Sequence, residues 1–172
     1  MSKRNNRYTI NAKKITFIAL AVTAVIIAAF MIKPDETKSS SSSQSKGITE
    51  VKDNDIIISV KDVTETATFY PAEINGTKLE VIAVKASDGS IRTAFNTCQV
   101  CFNSGRGYYK QEGESLICQN CGNRFRMDDI EVTRGGCNPV PITDEYKSVN
   151  EDTITISKDF LMEASVIFER WK

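Results

Sequence analysis

The chain has 172 residues, of which 22 are basic and 22 acidic, and it contains five cysteines but no histidine. Without imidazole, the sequence excludes mixed Cys/His zinc sites, Rieske ligation, type 1 copper and CxxCH haem attachment. The first 32 residues carry five basic and no acidic side chains, so the rest of the chain is mildly acidic, which argues against nucleic acid as a partner.

The N-terminal 49 residues predict a membrane anchor and a tether. Residues 1–14 form a basic leader, and residues 15–32 are an uncharged apolar run whose helix would span about 27 Å, close to the thickness of a bilayer core. The basic leader predicts a cytoplasmic N-terminus and an extracytoplasmic remainder. A cleavable signal peptide shares these features, but no small-x-small site follows the run, which favours an uncleaved anchor. Residues 33–49, with five consecutive serines, are typical of a flexible linker.

Residues 50–172 predict a mostly β extracytoplasmic domain with a C-terminal helix. The Asn75–Gly76 pair is typical of a hairpin turn. Glycines at 105, 107 and 113 predict loops, with Tyr108 and Tyr109 between them. Apolar residues at helical spacing predict an amphipathic helix over 158–171 that packs on the core. Apolar and β-branched runs predict strands at 56–60, 67–71, 78–85, 91–95, 115–118 and 153–157.

Two CxxC pairs, Cys98/Cys101 and Cys118/Cys121, are separated by sixteen residues, and each follows a predicted strand. Four thiolates can surround one tetrahedral ion, so this spacing predicts a metal site formed by two facing loops. Gly122 directly follows the second pair, where a metal-binding turn favours a positive φ. Zinc and an iron–sulfur cluster are both held by four cysteines, and the spacing does not separate them. Disulfides are an alternative outside the cytoplasm, whereas thioredoxin-like catalysis would need a helix after the CxxC.

The fifth cysteine, Cys137, lies between two glycines and two prolines in a loop over 135–141. It is a further candidate metal ligand, as a cap or a replacement for one of the four. It can also be a resolving thiol, or a small apolar residue buried in a turn.

Motifs around these cysteines resemble the FtrD-like family of membrane iron–sulfur-containing domains. Besides the CxxC pairs, the similar elements are residues 107–109 (GYY), 118–125 (CxNCGxRF) and 135–141 (GGCNPxP), and the similarity covers roughly residues 50–170. Members of that family are membrane-associated and often accompany bacterial iron-permease systems. The resemblance therefore implies electron transfer or iron handling outside the membrane, with a membrane permease or oxidase as partner.

A looser similarity links the pattern to Rieske domains, which also use two ligand loops and a later Gly/Pro loop as a cover. Here residues 135–141 would be that cover, and four cysteines stand in place of the Cys/His ligands. Four thiolates favour a lower reduction potential than a Rieske centre has.

The sequence thus predicts a small Rieske/rubredoxin-like domain with two CxxC knuckles, tethered to one transmembrane helix at 15–32. We expect an iron–sulfur protein that serves electron transfer or metal handling in iron uptake. The alternatives are a structural zinc-binding interaction module and a thiol-dependent metallochaperone or reductase that uses Cys137. The sequence shows no nucleophile–base pair or acid–base dyad, which favours a redox carrier over an enzyme.

Overall fold

The computed structural model describes residues 47–172. The predicted leader (1–14), the predicted anchor (15–32) and nearly all of the predicted linker (33–49) therefore lie outside the described residues. Within 47–172, no helix has the length and apolar character needed to cross a membrane.

The described part of the chain is mostly β, as predicted, and has one short α-helix near its C-terminus. In chain order the strands are β1 (Val51–Lys52), β2 (Ile56–Ser59), β3 (Thr68–Ile74), β4 (Thr77–Lys85), β5 (Ile91–Cys98), β6 (Tyr109–Glu112), β7 (Ser115–Cys118), β8 (Arg124–Arg126), β9 (Pro139–Pro141), β10 (Ser148–Val149) and β11 (Thr153–Ile156). The helix is α1 (Lys158–Ala164).

A five-stranded sheet in the order β1-β3-β4-β5-β9 forms the centre of the fold. All its neighbouring strands are antiparallel except the parallel pair β1 and β3. The predicted turn at Asn75 and Gly76 joins β3 to β4, and both residues have positive φ, as a tight hairpin turn requires. The two smaller sheets have the orders β10-β11-β2 and β6-β7-β8.

The central sheet is buried on both faces because its longest strand is apolar at successive positions. Val81 and Ala83 of β4 belong to one core, whereas Ile82 and Val84 belong to a second. The first core also contains side chains from β2, β11 and the C-terminal segment: Ile56, Ile58, Ile154, Ile156, Leu161, Phe168 and Trp171. The second contains side chains around the cysteines: Cys98, Tyr109, Leu116, Cys118, Phe125, Met127 and Ile130. The cysteine-rich segment therefore packs on its own face of the sheet.

The C-terminal helix is shorter than the sequence predicts. The α-helix ends at Ala164, and the predicted remainder begins with a 3₁₀ turn, Ser165–Phe168. The side chain of Ser157 caps the helix by accepting a hydrogen bond from the Phe160 amide. Trp171 is buried in the first core, and its Nε1 donates to the Asn96 carbonyl at 2.5 Å. The predicted packing role is thus confirmed, although the 3.6-residue period does not persist to residue 171.

Five strands are absent from the sequence-based prediction, and two of them, β1 and β10, have only two residues each. Tyr109 lies in a predicted loop but starts β6, a mostly polar strand that gives no alternating signal. β8 has only three residues, and β9 contains two prolines, which normally argue against a strand. β9 tolerates them because it is an edge strand that pairs with β5 alone.

Candidate metal centre

The first cysteine knuckle begins at the end of β5. An irregularity in the pairing with β9 lies between Phe95 and Cys98, and such bulges re-aim side chains at the ends of strands. The Cys98 amide donates to the Gly107 carbonyl at 2.7 Å, and the Cys101 amide donates to the Cys98 sulfur at 3.3 Å. A Cβ at Gly107 would lie 2.3 Å from the Cys101 carbonyl oxygen, so only glycine fits there.

The second knuckle follows β7. The Cys118 amide donates to the Asn123 carbonyl at 3.0 Å, which closes a tight turn. Gly122 has a φ of 73°, which confirms the predicted positive φ. Its own amide donates to the Cys118 carbonyl at 2.9 Å, whereas the Asn123 amide hydrogen-bonds the Cys121 sulfur.

The loop that carries Cys137 is attached to both knuckles. The Gln99 amide donates to the Asn138 carbonyl at 2.9 Å, and the Gln99 side chain accepts from the Gly135 amide at 3.1 Å. From the second knuckle, the Asn123 side chain donates to the Cys137 carbonyl at 2.9 Å. These three contacts hold the Cys137 backbone over the two CxxC turns, as a cover would be held.

The five cysteine sulfurs meet in one cluster. The Sγ atoms of Cys98, Cys101, Cys118 and Cys137 all lie within 4.8 Å of one another. The Cys137 Sγ lies 3.2 Å from that of Cys98, 4.0 Å from that of Cys101 and 2.9 Å from that of Cys121. All five are free thiols; Cys98 and Cys118 are buried, whereas Cys121 is exposed. The structure therefore brings the predicted cysteines together. In the group of four, Cys137 takes the position that the two-pair pattern predicts for Cys121.

Two of the thiols ionise more easily than an ordinary cysteine. Burial raises the pKa of Cys98, but hydrogen bonds from the Tyr109 hydroxyl and the Cys101 amide outweigh it, and the net pKa is lowered. The Cys137 thiol and the Asn123 amide lower the pKa of Cys121 to about 7. The thiolate is the reactive form of cysteine, both as a metal ligand and as a nucleophile.

The Cys101 and Cys137 thiols resist ionisation because they are buried and because other sulfurs lie nearby. Burial and the neighbouring Cys98 and Cys118 sulfurs raise the pKa of Cys101 to about 11. Burial also raises the pKa of Cys137, with a further rise from the Cys121 and Cys98 sulfurs. Four thiolates at these distances therefore need a cation between them. The donor set fits a thiolate-bound iron or zinc ion, which would supply that charge.

Tyr109 is a buried aromatic residue whose hydroxyl lies beside the sulfur atoms. It is 1% exposed, and its hydroxyl lies 3.9 Å from the Cys137 Sγ. Burial, together with the Cys98 thiolate, raises its pKa, so the hydroxyl stays protonated as a hydrogen-bond donor to sulfur. Its ring packs in the same core as Cys98 and Cys118.

Sequence reasoning missed the polar residues that position the knuckles. Asn96 is buried beside the first knuckle; its side chain accepts from the Tyr109 amide at 2.7 Å and donates to Glu80 at 2.6 Å. It thereby joins β5 to β6. A single asparagine inside a strand gives no sequence signal for such a role. Asn123 lies two residues after a candidate ligand, and that position is a signal from which its role could have been predicted.

Comparison with known proteins adds one finding. A family model described as "Membrane iron-sulfur containing protein FtrD-like" matches residues 60–168, a range that contains all five cysteines. No significantly similar curated protein or solved structure was found.

Proposed function

Because the chain belongs to the FtrD-like family of membrane iron–sulfur proteins, we propose that its cysteine cluster holds an iron–sulfur centre that carries electrons for iron uptake. The observation that carries this proposal is the group of four cysteine sulfurs within 4.8 Å of one another, in a chain of that family. The candidate ligands are the five cysteines of the cluster, one more than a four-coordinate centre takes: Cys98, Cys101, Cys118, Cys121 and Cys137.

The surroundings of the cluster support a redox role. Thiolate ligands make an iron centre electron-rich, and hydrogen bonds to the sulfurs adjust its potential. Both features are present, since the Cys101 amide and the Tyr109 hydroxyl donate to Cys98. One side of the cluster is open, because Cys121 is exposed and Cys101 and Cys137 are half-buried. A partner protein can therefore approach the centre closely on that side.

The proposed location follows from the sequence. An uncleaved anchor at 15–32 with a basic leader would hold residues 50–172 outside the membrane, next to a membrane permease or oxidase. The cluster would then exchange electrons with that partner, changing the oxidation state of iron as it is taken up.

A structural zinc site is the second candidate, favoured by what the cluster connects. The cysteine cluster joins the end of β5, the end of β7 and the Cys137 loop, as a structural zinc site would. In that case the protein would be a binding or assembly module.

Anaerobic purification of the whole chain in detergent separates the two candidates. We expect bound iron, with thiolate-to-iron absorption that changes on reduction and returns on reoxidation. Stoichiometric zinc with no iron would overturn the redox proposal and support the structural one. As a matched control, Cys118→Ala should lose the iron and the absorption together.

A further inference from the structure

We propose that a single metal ion is held by Cys98, Cys101, Cys118 and Cys137, and that Cys121 is a fifth, accessible thiol that hydrogen-bonds the Cys137 sulfur. This assignment rests on one part of the proposed function, namely that the cysteine cluster binds a metal. It differs from the ligand set expected from the two CxxC pairs, in which Cys121 is the fourth ligand.

The spacing of the sulfurs suits one ion. With metal–sulfur bonds of about 2.3 Å, the four ligands of a tetrahedral ion lie about 3.8 Å from one another. The four sulfurs of the group lie within 4.8 Å of one another, and the Cys137 sulfur lies 3.2 Å from that of Cys98 and 4.0 Å from that of Cys101, on either side of the value for one ion. In a cluster of two or four irons, cysteines bind different irons, and the distance between the irons adds to the distance between their sulfurs. Some cysteine sulfurs of such a cluster therefore lie farther apart than the four sulfurs of this group.

Burial and loop contacts distinguish Cys137 from Cys121. The Cys137 sulfur contacts the sulfurs of both first-knuckle cysteines, Cys98 and Cys101, and its backbone carbonyl is held by Asn123. Cys121 does not belong to the group of four, and it is the cysteine exposed to solvent. Its sulfur lies 2.9 Å from the Cys137 sulfur, and hydrogen bonds with the Cys118 and Cys101 sulfurs help to lower its pKa. Its exposure and its absence from the group of four place Cys121 at the edge of the cluster, beside one of the proposed ligands.

The assignment has a functional consequence. A hydrogen bond from a neighbouring thiol to a ligand sulfur is one of the contacts that set the potential of an iron centre. Once Cys137 binds the ion as a thiolate, Cys121 is the partner that keeps a proton to donate, and alkylation or oxidation of the Cys121 thiol would remove that donor while the ion stays bound.

Cysteine labelling of the loaded chain tests the assignment directly. The whole chain in detergent is loaded with Fe(II) and Fe(III) salts and inorganic sulfide without oxygen, desalted, treated with iodoacetamide, stripped of metal and mapped by mass spectrometry. We expect Cys121 to be alkylated with iron retained at one ion per chain and no acid-labile sulfide, and the other four cysteines to be protected. Protection of Cys121 with alkylation of Cys137 would overturn the assignment, as would two or more irons with labile sulfide.

Two variants of the same CxxC pair provide a matched comparison. Cys121→Ala should retain one ion with an affinity within about twofold of the parent chain, whereas Cys118→Ala should lose at least tenfold. Equal losses in both variants would overturn the assignment.

A parallel experiment with Zn(II) separates this assignment from the proposed function. If the purified chain holds zinc and no iron, the redox proposal fails, but labelling of the zinc-loaded chain still identifies the four ligands. If iron is bound reversibly and Cys121 is protected, the redox proposal stands and the ligand assignment fails.

Discussion

Tyr109 links the buried core to the sulfur atoms through a single hydroxyl group. The ring packs in the second core, and the hydroxyl donates to the Cys98 sulfur and lies 3.9 Å from that of Cys137. A donor stabilises the more negative, reduced state of an iron–thiolate centre. The hydroxyl should therefore raise the reduction potential of the proposed centre.

Replacing this hydroxyl tests its electrostatic role. In Tyr109→Phe we expect the reduction potential to fall by about 20–60 mV, the one-electron equivalent of a net hydrogen bond of about 0.5–1.5 kcal/mol. The measurement is a redox titration of the loaded whole chain. Tyr108→Phe is the control, because Tyr108 packs against the first core and its ring lies 5.0 Å from the Lys172 ammonium. A fall of the same size in both variants, or a rise in Tyr109→Phe, would contradict the expectation.

Gly107 is set by steric contact rather than by backbone conformation. An alanine Cβ there would meet the Cys101 carbonyl oxygen at 2.3 Å and the Phe102 Cα at 2.8 Å, and neither backbone atom can move without shifting the first knuckle. We expect Gly107→Ala to cost about 2–3 kcal/mol of unfolding free energy and to weaken metal binding at least tenfold. Urea denaturation and metal titration measure the two effects.

Gly113→Ala is the matched control for that substitution. Gly113 lies in the turn between β6 and β7, has a φ of +60° and has nothing within 4 Å of an added Cβ. Its replacement should cost about 1–2 kcal/mol through backbone strain alone and leave metal affinity unchanged. If both variants lose metal equally, the steric explanation for Gly107 is wrong.

At the level of elements, a buried ion pair joins the segment between β8 and β9 to β5. The Glu131 carboxylate accepts from the Lys147 ammonium at 2.6 Å and from the Thr93 hydroxyl at 2.8 Å. The Lys147 side chain is 2% exposed and that of Glu131 is 14% exposed, so the pair is largely removed from water. Since Thr93 lies on β5, the pair connects the segment that precedes the Cys137 loop to the strand that carries Cys98.

Removing one partner of this pair should be costly. In Glu131→Gln the buried Lys147 ammonium keeps the Thr93 hydroxyl, 3.0 Å away, but the carboxylate left beside it is that of the exposed Asp144, 3.5 Å away. We expect a loss of about 3 kcal/mol in unfolding free energy by urea denaturation. The double variant Glu131→Gln/Lys147→Met should recover much of that loss, because it removes the unpaired charge. Additive losses in the double variant would show that the two residues do not act as a pair.

The elements differ in how well the sequence predicts them, and the reason is physical. β4 and β11 have apolar or β-branched runs long enough to show a pattern, so their positions were predictable. β6, β8 and β9 are short, polar or rich in proline, and they are strands because the cysteine loops and β5 lie beside them. The two CxxC pairs predicted a common site by their spacing alone. The position of Cys137 relative to Cys121 depends on contacts across 16 residues of chain, for which the sequence carries no spacing rule.

At the scale of the whole described part, the two cores have different means of support. The first core joins β2, β11, α1 and one face of the central sheet, and it consists of large apolar side chains. The second core includes Cys98 and Cys118 themselves, with Cys101 and Cys137 packed against it. Part of the packing on that face is thus made by the candidate ligands, which repel one another as thiolates without a cation.

Metal removal should therefore loosen one face of the molecule and leave the other folded. We expect chelation under reducing conditions to increase amide hydrogen exchange over 98–138 at least tenfold, and to leave exchange in β2, β11 and α1 nearly unchanged. The measurement is hydrogen–deuterium exchange of the whole chain with and without metal, read by mass spectrometry. The small β6-β7-β8 sheet buries most of its apolar side chains in the same core as the cysteines, so it should open locally when the sulfurs separate.

The pattern of exchange, rather than its total, decides what the metal does for the fold. A rise spread over both cores would mean that the first core is not stable alone and that the metal is needed for global folding. No change anywhere would mean that the hydrogen bonds of Gln99, Asn123 and Asn138 suffice to hold the loops without an ion. Exchange confined to 98–138 follows from the division of the buried side chains, because the large aliphatic and aromatic residues of the first core need no thiolate partner.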